Sequence, residues 1–169
     1  VGASGARTPF LDHLWSLCIE EHIYVLLGVI AFASVRLNFP PLPVIVALAI
    51  AFVVNGFLQY YLLTPDYYAV YWRTDVRGAS ILMGAAAFLI IRQRTFDQIL
   101  LGWVAVACGT VAVALSTDVV PDPIKYSLGS VLLAVAVCAI TSAPGLVRAI
   151  LSSRAMMAVG LMSYSIYLW

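Results

Sequence analysis

Leu42-Pro-Val-Ile-Val-Ala-Leu-Ala-Ile-Ala-Phe-Val-Val-Asn-Gly-Phe-Leu-Gln-Tyr-Tyr-Leu-Leu63 runs for 22 residues without a charged side chain. A helix of ~20 residues spans the ~30 Å hydrocarbon core of a bilayer, so this stretch predicts a transmembrane helix. Working outward, further apolar runs lie at about 16–35, 76–92, 99–116, 125–142 and 155–169, each bounded by Pro, Gly, Asp or Arg. The expected fold class is therefore all-α: a polytopic transmembrane helix bundle of about six helices, forming one domain over 1–169, with the last helix cut short. The chain is 63% hydrophobic and 10% charged, which places it outside the soluble globular class. Membrane lipids are the expected surroundings.

Net charge is +1, and no basic run points to nucleic acid. Cys18, Cys108 and Cys138 each sit in an apolar run and are expected to be packing residues. Their odd number and spacing argue against disulfides and against a zinc site, and no metal is expected. Residues 1–14 are largely small and polar, with no initiator Met and no signal-peptide layout, so the sequence reads as a piece of a longer chain. Arg36, Arg92, Arg94, Arg148 and Arg154 fall on one side of the predicted spans, with Asp97. Arg7, Arg73, Arg77 and Lys125 fall on the other, with Asp12, Asp66, Asp75, Asp118 and Asp122. The basic excess places the first set in the cytoplasm and the start of the chain outside. Tyr60, Tyr61, Tyr67, Tyr68, Tyr71 and Trp72 cluster at one loop, as an interfacial aromatic belt does.

Three groups of residues carry chemistry. Glu20 and Glu21 enter the first apolar run from the segment His13-Leu-Trp15-Ser16-Leu-Cys-Ile-Glu20-Glu21-His22-Ile-Tyr24. Ionisable groups inside a membrane span usually face a protein interior or a cavity. Ser16, Glu20 and Tyr24, four apart, form one stripe that Gly28 continues. A carboxylate there can act as general base, accept a hydrogen bond from an orienting His, or pair with an Arg in a helix-packing contact. His22 points about 200° away from Glu20 around the helix, which disfavours a shared metal. In the second group, Arg77, Ser80 and Gly84 share a face, and Gly84 to Ala87 are small enough for close helix approach. Arg77 can hold an anion or Glu20, with Asp75 as a local partner, or can simply snorkel to the interface. In the third group, Gly160, Ser163, Tyr164 and Tyr167 make a small, polar face expected to point inward and hydrogen-bond between helices. Asn55 and Gln59, four apart in the second span, are read in the same way.

Together these segments resemble the membrane-bound acyltransferase family 3, whose O-acyltransferases modify lipopolysaccharide, peptidoglycan, exopolysaccharide and macrolides. His13 to Tyr24 is similar to the family's His-x-Trp-Ser-Leu-x-x-Glu-Glu-x-Phe-Tyr segment. Thr74-Asp75-Val-Arg77 through Gly84-Ala resembles its Arg-x-x-x-Leu-Leu-x-Gly-Ala helix, and Gly160 to Trp169 its Gly-x-x-Ser-Tyr-x-x-Tyr-Leu-x-His segment. Ile23 replaces the usual Phe, His22 stands where Gln is common, and the last motif halts one residue before its His.

The resemblance implies an integral-membrane enzyme of the bacterial cytoplasmic membrane. It would move an acyl group, in the first instance acetyl, from acyl-CoA on the cytoplasmic side to a hydroxyl of a cell-envelope glycan or similar acceptor outside. Acetyl-CoA would be a substrate; no bound cofactor is implied. Glu20 and Arg77 would be catalytic, supported by His13. Trp15, Ser16, Glu21, Tyr24, Ser163, Tyr164 and Tyr167 would contact substrate. The family's first helix, with an Arg and an acyl-transfer His ten residues apart, has no counterpart here, so the chain alone is expected to be inactive. Two other classes remain open: a transporter or flippase in which Glu20, Glu21 and Arg77 relay protons or substrate, and a non-catalytic remnant.

Overall fold

The computed structural model describes residues 15–63, 73–93, 96–117, 120–142 and 145–168. It is all-α. Helix α1 (Trp15–Leu37) ends at Asn38, whose φ of 54° is the left-handed conformation that Asn tolerates past a helix end. Helix α2 (Pro41–Leu58) opens on a proline, which costs nothing at a position whose N–H has no helical partner, and widens into a π turn over Gln59–Leu63. The short α3 (Thr74–Arg77) and α4 (Ala79–Gln93) are separated at Gly78 but together make one span of 20 residues. Helix α5 (Gln98–Leu115) is capped by Asp97, whose Oδ1 accepts from the backbone N–H of Ile99 at 2.7 Å. Helix α6 (Asp122–Ile124) passes through a π turn, Lys125–Gly129, into α7 (Ser130–Ser142). A short α8 (Leu146–Leu151) leads to α9 (Arg154–Leu168).

Among the described residues five helical stretches are long and apolar enough to cross a membrane: Leu17–Leu37, Pro41–Leu62, Thr74–Gln93, Gln98–Leu115 and Asp122–Ile140. They coincide with the first five predicted spans. The sixth corresponds to α9, which at 15 residues is about 22 Å long, short of the ~30 Å core.

Helix α7 is central, packing on α5 and on α4; α4 in turn packs on α2, and α1 closes the row against α2, α3 and α4. Two apolar clusters result. One joins Ile19, Ile23 and Ile30 of α1 to Ile45 and Ala49 of α2 and to Leu82 and Ala86 of α4. The other joins Leu101 and Ala105 to Ala139. Alanine recurs at these contacts because lipid tails are as apolar as leucine; helices in a bilayer associate through close packing, which small residues permit.

The tightest approach is at Gly78. A Cβ there would stand 2.5 Å from Ile23 Cδ1 and 2.7 Å from the Thr74 carbonyl oxygen. Gly56 is the next tightest, with Val76 Cγ1 3.1 Å away. The close approach expected at Gly84 does not occur there, since nothing lies within 4 Å of its Cβ position. Gly84 instead lines an opening of about 430 Å³ between α4 and α7. Cys18 is also corrected: it is exposed, because the inward face of α1 is set by Ile19, Ile23 and Ile30.

Gly78→Ala is expected to destabilise the bundle by about 1–3 kcal/mol through overpacking. Gly84→Ala should be neutral or stabilising by ~0.5–1 kcal/mol through helix propensity. Thermal unfolding of the two variants in detergent measures the difference. Asp97→Ala removes the cap of α5 and should cost about 1 kcal/mol in the same assay.

Candidate functional site

At the end of the bundle where α1 begins and α2 finishes, polar side chains from three elements converge. Helix α1 buries Ile19 and Ile23, the latter to 1% exposure. Its neighbours in sequence are thereby divided between the two flanks. His22 lies on one flank, and its Nδ1 is 3.3 Å from the Thr74 hydroxyl at the start of α3. Glu20 and Tyr24 lie on the other, roughly 60–100° around the helix from Ile23.

Glu20 and Tyr24 are therefore beside the buried face rather than on it. Tyr24 is 58% exposed and Glu20 half-buried, while Glu21 is exposed. Among the described residues Glu20 and Glu21 make no hydrogen bond or ion pair, so a helix-packing ion pair is not their role within them. Gly28 is likewise open, with nothing near its Cβ position. His13 lies outside the described residues, as do the side chains of Trp15 and Ser16. The aromatic loop residues Tyr67, Tyr68, Tyr71 and Trp72 also lie outside them, whereas Tyr60 and Tyr61 meet edge to face at 4.9 Å.

The most connected residue is Asp75. Its carboxylate takes both Arg73 Nε (3.0 Å) and Arg73 Nη2 (2.6 Å), a two-point contact that matches the guanidinium fork. That hydrogen bond, ahead of the opposing effect of burial, raises the Arg73 pKa above its ordinary value, so Arg73 is charged at any physiological pH. With side chains 42% and 45% exposed, the pair contributes about 0.2–1 kcal/mol at most. Asn55 of α2 adds its Nδ2, which donates to Asp75 Oδ2 at 2.9 Å and to the Asp75 carbonyl at 3.2 Å. Gln59 Nε2 donates to Asn55 Oδ1 at 3.4 Å. Asn55 thus makes the interhelical hydrogen bond that its four-residue spacing from Gln59 suggests.

Arg77 is half-buried at the end of α3, and its carbonyl accepts from the Ser80 hydroxyl at 2.9 Å. Asp75, weighed from sequence as a partner for Arg77, is clamped by Arg73 instead, because the extended backbone at Arg73 (ψ 128°) folds that side chain back over the first turn.

Gly160 and Ser163 of the third group do not join this site. Helix α9 packs mainly on α8, and its described side chains are exposed. Ser163 donates at 2.7 Å to the carbonyl of Gly160 in its own helix, which satisfies the hydroxyl locally and removes the need for an interhelical acceptor. Gly160 and Ser163 are thus exposed rather than turned inward, and the side chains of Tyr164 and Tyr167 lie outside the described residues.

A cleft of about 580 Å³ lies between α2, α4, α5 and α7, walled by residues such as Ile50, Val54, Met83, Ile90 and Val135. Among the described residues its walls carry no hydroxyl or titratable group. Among the described residues no three His, Cys, Asp or Glu side chains gather as metal ligands. The residues that sequence reasoning missed are Gly78 and Thr74. Their partners, Ile23 and His22, are far away in the chain, so spacing along one helix gives no signal of them.

Comparison with protein-family profiles, with curated proteins and with solved structures returns no match.

Proposed function

We propose that this chain is part of an integral-membrane O-acyltransferase that moves an acyl group, in the first instance acetyl, from acyl-CoA to a hydroxyl of an extracytoplasmic glycan. The site lies in the end of the bundle that holds Glu20, Glu21 and Arg77. The observation that carries this reading is the junction of α1 with α3. His22 against Thr74 and Ile23 against Gly78 bring the acidic segment of α1 and the Arg77 turn, 52 residues apart at His22 and Thr74, to one place. Two of the three segments that resemble acyltransferase family 3 therefore meet, on elements that span the bilayer. Localisation in a bacterial cytoplasmic membrane belongs to the same proposal.

The chemistry asked of these residues is modest. The acceptor oxygen attacks the thioester carbonyl, the carbon–sulfur bond breaks, and the hydroxyl proton passes through a base to the departing thiolate. In the proposed reaction a His from the preceding part of the membrane domain is that base. Glu20, which has no partner among the described residues, orients or charges it. The Arg77 guanidinium steadies negative charge on the donor or on the tetrahedral intermediate. His13, Trp15, Ser16, Glu21 and Tyr24 are placed by the same proposal around the acceptor. So are Ser163, Tyr164 and Tyr167, which requires α9 to approach α1 in the assembled protein.

The test is transfer of radiolabelled acetyl from acetyl-CoA to envelope glycan, in membranes carrying the chain with its native upstream sequence. Glu20→Gln should lower transfer about 10²-fold or more at unchanged expression, the scale of a lost acid–base contribution. Arg77→Leu should do likewise. Gradient-dependent uptake with no acetylated product would overturn the proposal in favour of transport.

A further inference from the structure

The π turn Lys125–Gly129 changes which side chains share a face. In a regular α-helix residues five apart stand about 140° apart around the axis. A π turn closes on the fifth residue instead, so Lys125 and Ser130 come toward the same side. There both line an opening of about 310 Å³ against the end of α5, together with Ser116 and Gly129. Lys125 stands three residues into its span, about 5 Å from the end, which is the level of a bilayer's polar interface. Its side chain is only 19% exposed, and Asp122 Oδ1, 3.2 Å away, takes one of the three donors of the ammonium group. Ser116 donates to the Ala112 carbonyl at 3.0 Å, whereas the Ser130 hydroxyl makes no hydrogen bond among the described residues. The opening therefore presents a cation and a hydroxyl donor side by side. A phosphate oxygen accepts from both kinds of group.

A second opening, of about 430 Å³, adjoins the first, since Ser130 and Leu133 line both. From Ser130 it follows α7 past Ala134 to Cys138, with Ile81 and Gly84 of α4 on the other wall. Ser130 to Cys138 is about 12 Å of helix, close to the ~15 Å of hydrocarbon in one leaflet. No residue of this groove below Ser130 carries a charge. A water molecule needs two to four polar partners, which such walls do not provide. Left empty, the groove would forfeit dispersion contacts along both helices. A flexible hydrocarbon chain recovers them. A cationic opening at the interface thus leads into an apolar groove one leaflet deep, which is the layout of a phospholipid from phosphate to chain end.

We infer that the surface between α4 and α7 binds one phospholipid of the leaflet on the Lys125 side. Its phosphate accepts from Lys125 Nζ and the Ser130 hydroxyl, and one acyl chain lies between Gly84 and Ala134. The inference takes the spans to lie in a bilayer and is independent of the acyl transfer proposed above.

Native mass spectrometry of the chain with its native upstream sequence tests this, with phosphatidylglycerol titrated in detergent against galactosyl diacylglycerol of the same acyl chains. The galactolipid keeps the chains and lacks the phosphate. The native protein should bind one phosphatidylglycerol about tenfold more tightly than the galactolipid, the scale of a charge-assisted hydrogen bond. Lys125→Gln should abolish that preference. Ser130→Ala, which leaves the Asp122–Lys125 pair in place, should reduce it about threefold and decides the matter should Lys125→Gln fail to fold. Gly84→Leu adds a side chain where nothing lies within 4 Å of the Cβ position, and should weaken both lipids about tenfold by filling the groove. Gly28→Leu, equally open but on α1, should weaken neither. Equal affinity of the native protein for the two lipids overturns the inference. So does a full preference persisting in Lys125→Gln, or in Ser130→Ala where the former does not fold, and so does Gly84→Leu binding as tightly as Gly28→Leu.

Discussion

The contact of Ile23 with Gly78 is the constraint on which the arrangement at this end of the bundle depends. Ile23 is almost fully buried, and its side chain occupies the space a Cβ at position 78 would need. In water such burial would be worth about 1.5–3 kcal/mol. Between helices in a bilayer that transfer term largely vanishes, because lipid is as apolar as the interface, and what remains is van der Waals fit. Fit falls off within an ångström, so a glycine at the contact decides whether α1 and the α3–α4 element touch at all.

That contact has chemical consequences through the 100° step between successive helical residues. With Ile23 turned inward, His22 is carried to one flank and reaches Thr74, while Glu20 and Tyr24 are carried to the other. The two carboxylates are left unengaged among the described residues, and the cationic side of the site is organised separately around Asp75. Acidic and basic groups thus share one end of the bundle without neutralising each other through Glu20.

Polar contacts do the rest of the positioning because they are directional. Asn55 is half-buried, and its hydrogen bonds to Asp75 join α2 to α3 at a level where the apolar clusters have ended. Further along the same helices the walls become wholly apolar and open into the cleft lined by Ile50 and Met83. Polar groups sit toward the ends of the helices, Arg36, Arg92 and Asp97 at the opposite end among them, and apolar volume fills the middle, as bilayer depth requires: unsatisfied polar atoms are costly in hydrocarbon and cheap at the interface.

The helical spans were legible in the sequence alone. An uncharged run such as Leu42–Leu63 has few alternatives in a bilayer, and the five membrane-length helices lie where the apolar runs do. Asn55 and Gln59 were legible as hydrogen-bonding residues because polar side chains inside a span need partners. Which face of each helix turns inward was not legible. Helices that are apolar all round carry no amphipathic signal, so the stripes at Glu20 and at Ser163 looked as inward as the true faces. Gly84 was expected to allow close approach, yet Ile23 packs on Gly78, which nothing in the sequence singled out. The sequence by itself determined that the chain folds as a set of helices long and apolar enough to cross a membrane, since length and apolarity answer directly to bilayer thickness. Tertiary structure alone decided which glycine is crowded, that Asp75 is held by Arg73 and Asn55, and that His22 rather than Glu20 meets α3, since these depend on helix rotation, which packing between distant segments sets.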